Sequence, residues 1–238
     1  MGIKELEAEV KKLQGQLQTL QDIEEIQRLQ RAYGVYLERW HSTEIIDCFA
    51  DGPGVCLDFG EKRYSGKKGV RKYFSSSTHR QEMGENPEFF HEVMQLAPII
   101  DISLDGKTAR GRWNGYGVLI VPRGDRVTQS VFSCIYQNDY VKENGKWKIR
   151  VLRLSTKYSC QPKDWIVAPN RLEENFKLGE LQEPEPDEVV PTPPGYERGY
   201  PSAYIMPYRF NHPVTGEPTS ETARNIKNFG GGIEELYK

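Results

Sequence analysis

Ile3, Leu6, Val10, Leu13, Leu17 and Leu20 recur in alternating steps of three and four, with Lys, Glu and Gln filling the positions between. That spacing is a heptad seam nearly three repeats long. A helix of this length is marginal alone, so the seam should pack on another copy or on the body of its own subunit. A plain amphipathic surface helix is the competing interpretation. The apolar pattern continues through Ile23, Ile26, Leu29, Tyr33 and Leu37 but shifts phase near Asp22, a residue suited to capping a new helix. The spacing therefore predicts a second helix from about Ile23 to Trp40. A third should begin at Ser42 or Thr43, where a hydroxyl cap precedes an acid and apolar residues, and end by the Asp51-Gly52-Pro53-Gly54 turn.

Beyond that turn the period changes from helical to alternating. Val55 to Phe59 is a short strand candidate, and Arg63 to Lys68 leads into a helix carrying Val70, Tyr73 and Phe74. Phe89 to Leu104, Thr108 to Val121, Val127 to Lys142 and Trp147 to Thr156 then read as four strands. Asp105-Gly106, Arg123-Gly124-Asp125 and Glu143-Asn144-Gly145 are the hairpin turns between them, because Gly and Asn accept the positive φ of tight turns. Helices followed by a meandering antiparallel sheet make an α+β fold. The expectation is a cone-shaped barrel whose curved sheet wraps around the N-terminal helices, spanning residues 23–160, with a helical extension over 1–22. Nine of the fifteen prolines fall between Pro184 and Pro218, so 161–238 reads as an extended arm. Tyr196, Tyr200, Tyr204, Tyr208 and Phe210 would anchor that arm on the barrel or a neighbour.

Composition narrows the partners. With 32 basic and 34 acidic residues the formal charge is -2, which leaves no basic footprint for nucleic acid. No apolar run approaches the length of a membrane span, and the charged start MGIKELEAEV lacks a signal-peptide core. A soluble, cytoplasmic protein with no membrane partner is expected. Cys48, Cys56, Cys134 and Cys160 have no C-x-x-C spacing and are expected to be reduced structural thiols. The glycine signature of dinucleotide sites, the P-loop and His-Glu-x-x-His are all missing from the sequence, so neither a cofactor nor a metal is expected.

The run Ile26 to Tyr33, with Phe49-Ala50-Asp51 and Tyr64 to Arg71, resembles the SnoaL-like proteins of the nuclear-transport-factor-2-like superfamily. So does the order of His91, Ile99-Ile100-Asp101, Asp105 to Ala109, Tyr140 and Gly145 to Ile149. The resemblance covers roughly Asp22 to Tyr158. It implies a fold shared by scytalone dehydratase, hexachlorocyclohexane dehydrochlorinase, polyketide cyclases, ketosteroid isomerase-like enzymes and noncatalytic binding modules, so fold alone does not assign function. In the dehydratase and the dehydrochlorinase a helix-borne Asp orients a His at the start of the first long strand. Those positions fall here on Glu38 and His91.

Such a pair is chemically apt. An imidazole exchanges a proton near neutrality, and a carboxylate on its far nitrogen fixes the tautomer. Glu in place of Asp adds a methylene, which leaves open whether Glu38 orients His91 or meets substrate. Alignment to the family places three strand rows on the inner face: Arg112, Asn114 and Tyr116; Phe132, Cys134 and Tyr136; Leu152, Leu154, Thr156 and Tyr158. With Tyr33 they would bind a small aromatic substrate. His41, His79 and His212 have weaker claims.

The long first helix and the segment Pro207 to Gly216 resemble a narrower group, the bacterial lignin diarylpropane γ-formaldehyde lyases. That resemblance implies a cofactor-independent lyase that turns a phenolic diarylpropane diol into a stilbene through a quinone methide, with loss of water and formaldehyde. A dehydratase or isomerase of another aromatic, polyketide or steroid-like substrate is the alternative, and an aromatic-ligand binding module a further one. A homo-oligomer is expected: a trimer by resemblance, or a dimer from Ile3 and Val10 alternating with Leu6 and Leu13.

Overall fold

The computed structural model describes residues 2–59, 62–75, 84–86, 88–123, 126–161 and 212–217. Helix α1 runs unbroken over Ile3–Glu38, and α2 over Ser42–Asp47. Strands β1 (Cys56–Asp58) and β2 (Arg63–Ser65) form a short hairpin that leads into α3 (Gly66–Ser75). Four long strands follow: β3 (Phe90–Ile102), β4 (Thr108–Arg123), β5 (Arg126–Glu143) and β6 (Lys146–Cys160).

The sheet order is β2-β1-β6-β5-β4-β3, antiparallel throughout except where β1 lies parallel to β6. The expected α+β class and the four-strand meander are therefore present, in a curved sheet that does not close. Asn144 and Gly145 both take positive φ, 51° and 76°, as a two-residue hairpin turn requires.

The predicted break at Asp22 is absent. Asp22 is only 1% exposed, and its carboxylate accepts hydrogen bonds from Lys142 Nζ (2.5 Å), Trp147 Nε1 (3.0 Å) and Gln18 Nε2 (3.1 Å). The phase shift at this point marks the place where one continuous helix reaches the sheet, not the start of a second helix. The C-terminal half of α1 buries Ile26, Leu29, Ala32, Tyr33, Tyr36 and Leu37 against the sheet. α2 and α3 complete the core with Ile45, Ile46, Val70 and Phe74.

A buried polar chain pins α1 to the sheet. Tyr140 Oη donates to Gln30 Oε1 (2.7 Å), Asn138 Nδ2 donates to the same oxygen (3.0 Å), and Trp113 Nε1 donates to Tyr140 Oη (2.9 Å). Gln30 Nε2 in turn donates to Gln95 Oε1. Buried polar groups need such partners, so this chain sets which face of α1 meets β3 to β5.

Candidate functional site

Two ends of chain meet at the candidate site, the C-terminus of α1 and the start of β3. Helix α1 stops in a Schellman motif: Trp40 N–H donates to Leu37 O (3.1 Å) and His41 N–H to Tyr36 O (2.9 Å). The motif requires a left-handed residue after the last turn, a place where Gly is usual. Here it is Trp40, at φ 52°. Such a conformation costs a bulky residue roughly 1–2 kcal/mol. Its indole offsets that cost by donating to Phe74 O (3.0 Å) and packing on Phe74 and Phe89.

That indole is one wall around His91. The imidazole lies 6.2 Å from the Trp40 ring at an interplanar angle of 24°, and 5.9 Å from Phe132 at 53°. His91 Nδ1 is buried and has no hydrogen-bond partner among the described residues. Burial pushes the imidazole pKa down to about 4, so the ring is neutral at physiological pH. Glu38 is the last residue of α1 and only partly covered. Burial, reinforced by Glu92 and opposed by Arg39, raises its carboxyl to about 7. No hydrogen bond joins Glu38 to His91: of the two roles left open for the carboxyl, orienting the imidazole is not the one seen, and its charged neighbours are Glu92 and Arg39.

The alternation of each strand decides which predicted residues share the face of His91. On β4 the buried positions are Ala109, Gly111, Trp113, Gly115 and Gly117, while Arg112, Asn114 and Tyr116 are exposed on the other face. The expected inward row of β4 is thus off by one residue, which reverses the face of every side chain in it. Arg112 lines a cleft of about 420 Å³ on the outer face with Asp58, Arg63, Gln137 and Arg153.

Phe132, Cys134 and Tyr136 do point inward, opposite Gly117, Gly115 and Trp113. Thr156 pairs with Cys134 and so shares the inner row, though exposed. A bulge then sets Tyr158 opposite Ser133 on the outer face, 52% exposed, so it too departs from the expected row.

Tyr33 is 4% exposed and packs edge-on against Phe49 and Phe74 at 6.1 and 6.5 Å. Burial first, then the proximity of Tyr136, Tyr73, Cys48 and Cys134, holds its phenol well above the usual range; Tyr136 is raised likewise by burial and Cys134. Both phenols are neutral at physiological pH. Two inner-face residues escaped sequence reasoning. Trp40 reads in sequence as an ordinary helix-end aromatic, and Gln95, whose Nε2 is buried without a partner among the described residues, carries no motif. Alternation from His91 would have put Gln95 on the same face.

The other histidines are occupied or lie elsewhere. His212 is 3% exposed and stacks on Tyr36 (5.3 Å, 4°); its Nε2 sits 2.9 Å from Glu44 O, and its Nδ1 accepts from Val214 and Thr215 N–H. It fastens residues 212–217 to α1 and α2. His41 is buried at the start of α2, and burial, with Arg39, lowers it to about 4. His79 and the aromatic anchors of the arm lie outside the described residues. Among the described residues no group of His, Cys, Asp and Glu is placed to hold a metal ion. Cys48, Cys56, Cys134 and Cys160 are free thiols, and no described helix is long and apolar enough to cross a membrane.

A long helix laid along an open, curved sheet, with a buried histidine at the start of the first long strand, defines an α+β cone of the nuclear-transport-factor-2 type. The chain belongs to the SnoaL-like domain family, whose model matches residues 18–153. Solved structures share the fold at low identity. A hexachlorocyclohexane dehydrochlorinase from Novosphingobium barchaimii LL02 is 13% identical over 65% of this chain and 99% of its own, with a TM-score of 0.52. A provisionally assigned scytalone dehydratase from Novosphingobium aromaticivorans is 15% identical over 61% of this chain and 91% of its own, at 0.50. A type 2 hexachlorocyclohexane dehydrochlorinase is 15% identical over 65% and 97%, at 0.51. No curated protein matches the sequence at a significant level.

Proposed function

We propose that this chain is a cofactor-independent lyase for a phenolic aromatic compound, and that a diarylpropane diol is its substrate. The carrying observation is the buried, unpartnered Nδ1 of His91 between two aromatic rings. An orphaned polar atom in a folded interior calls for an explanation, and a ligand hydroxyl is one that also uses the flanking rings for stacking. Structural relatives named for a dehydratase and a dehydrochlorinase, both elimination enzymes, favour the same class.

The reaction balances within the substrate. His91, neutral because it is buried, takes the phenol proton. Glu38, held near neutrality, gives a proton to the benzylic hydroxyl, which leaves as water to form the quinone methide. The Glu38 carboxylate then takes the γ-hydroxyl proton, the carbon–carbon bond to the hydroxymethyl carbon breaks, and its electrons form the stilbene double bond and return the quinone methide to an aromatic phenolate, which takes back its proton from His91. The products are a stilbene, water and formaldehyde, with no external electron acceptor. In this scheme Glu38 acts as an acid in its own right. Tyr33, Tyr136, Phe132 and Thr156 would line the inner face around the substrate. Arg112, Asn114, Tyr116 and Tyr158 would meet it only from the outer face.

The test is incubation of the purified, chelator-treated chain with a phenolic diarylpropane diol, following formaldehyde and stilbene absorbance. Stilbene and formaldehyde in equal amounts support the lyase. Water loss without formaldehyde replaces it with a dehydratase, and no turnover removes the substrate assignment.

A further inference from the structure

Residues 3–21 of α1 are exposed along their whole length, and the six seam residues are the most conspicuous part of that surface: Ile3 78%, Leu6 50%, Val10 45%, Leu13 54%, Leu17 56% and Leu20 65% exposed. Because α1 is one continuous helix, the direction of the seam relative to the body follows from its pitch. Successive residues turn by roughly 100°, so the stripe from Ile3 to Leu20 and the buried stripe Asp22, Ile26, Leu29, Tyr33 and Leu37 lie roughly 180° apart. The seam faces directly away from the sheet that the same helix packs on.

We propose that a second copy of this chain covers the seam, as a parallel two-stranded coiled coil over Ile3–Leu20. Three observations select that partner. Ile3, Val10 and Leu17 occupy core positions of one kind and Leu6, Leu13 and Leu20 those of the other; β-branched residues at two of the three first-kind positions with leucine at every second-kind position favour two parallel strands. The flanking positions that would face each other across a parallel pair are Gly2 with Glu7, Glu9 with Gln14, and Gln16 with Gln21, so no like charges meet. Finally, the described part of each body lies on the far side of its helix from the seam, so among the described residues two such bodies flank the coil without obstructing it. Gly15 lies on the outer side, with open space around it, and contributes nothing to the contact.

Sedimentation equilibrium of the full chain should give a dimer. Leu6→Glu/Leu13→Glu/Leu20→Glu should give a monomer with unchanged sheet circular dichroism, since each of these residues is at least half exposed. Gly15→Ala should tighten the dimer by roughly fivefold, because it improves helix propensity without altering the seam. Under oxidising conditions Leu6→Cys should cross-link two chains well above the unsubstituted protein. A monomeric or trimeric parent chain, a triple variant that keeps the parent's state, or a Leu6→Cys chain that does not cross-link each overturns the proposal. A monomeric parent would assign the seam to another segment of its own chain.

Discussion

The imidazole of His91 rests on the indole of Trp40 with ring centroids 6.2 Å apart, and the backbone of Trp40 takes the left-handed conformation, φ 52°, that ends α1. Helix termination and the candidate site are thus one structural event. Moving Trp40 would move the wall against which a substrate ring and His91 are held.

The partnerless Nδ1 sets stability against activity at His91. A buried polar atom without a partner costs about 1–3 kcal/mol. His91→Phe should therefore leave the melting temperature unchanged or higher while lowering turnover at least roughly 10²-fold, as expected when a general base is removed. Calorimetry beside the formaldehyde assay checks both. A variant with near wild-type turnover would remove His91 from the chemistry.

Activity should follow a bell-shaped pH profile. His91 must be neutral, which holds above about 4, and Glu38 must be protonated, which holds below about 7. Glu38→Gln should lower the rate and abolish the alkaline limb near 7. An unchanged alkaline limb would assign it to another group.

Stability has its own pH dependence. The folded pKa of His91 and of His41 lies below the ordinary 6.5, so the unfolded chain binds more protons between about 4 and 6.5 and stability falls as pH drops through that window. Glu38 is raised from 4.5 to about 7 and acts oppositely, its contribution being lost as pH rises through that interval. Chemical denaturation of His91→Phe should show a shallower acid decline than the parent chain, and Glu38→Gln a steeper one.

Asp22 should be a strong stability determinant far from the site. Although burial works to raise its pKa, hydrogen bonds from Lys142, Trp147 and Gln18 outweigh it and hold the carboxylate below its usual range. Asp22→Ala would strand the Lys142 ammonium and the Trp147 N–H, at a cost of about 3 kcal/mol. Asp22→Asn, which keeps an acceptor, should cost less. Urea midpoints of the two variants decide this.

Gly115 tests the packing of the inner face. A Cβ there would collide with Cys134 Sγ and lie 3.0 Å from the Tyr136 ring. Gly115→Ala should destabilise by about 1–3 kcal/mol, and Cys134→Ala in the same chain should recover part of the loss. Additive effects in the double variant would show that the two positions do not share this space.

Much of the architecture was legible in the sequence because side-chain periodicity is a local property. The alternating runs and their Gly and Asn turns located all four long strands to within a few residues, and His91 fell at the start of the first. Phe132 and Tyr136 also landed on the correct face. What periodicity does not carry is which of two faces is inside. On β4, Trp113 and its flanking glycines form the buried row, whereas alignment to the family places the intervening row of Arg112, Asn114 and Tyr116 inside. Whether Asp22 capped a helix or lay buried inside one depended on Lys142 and Trp147, more than a hundred residues away. The surroundings of His91 likewise depend on how the end of α1 meets β3, which brings Trp40 up against the imidazole. The sequence by itself determined the elements, their order and the heptad seam. Tertiary structure alone decided their facing and the neighbours of each polar group, because these depend on contacts between segments distant in the chain.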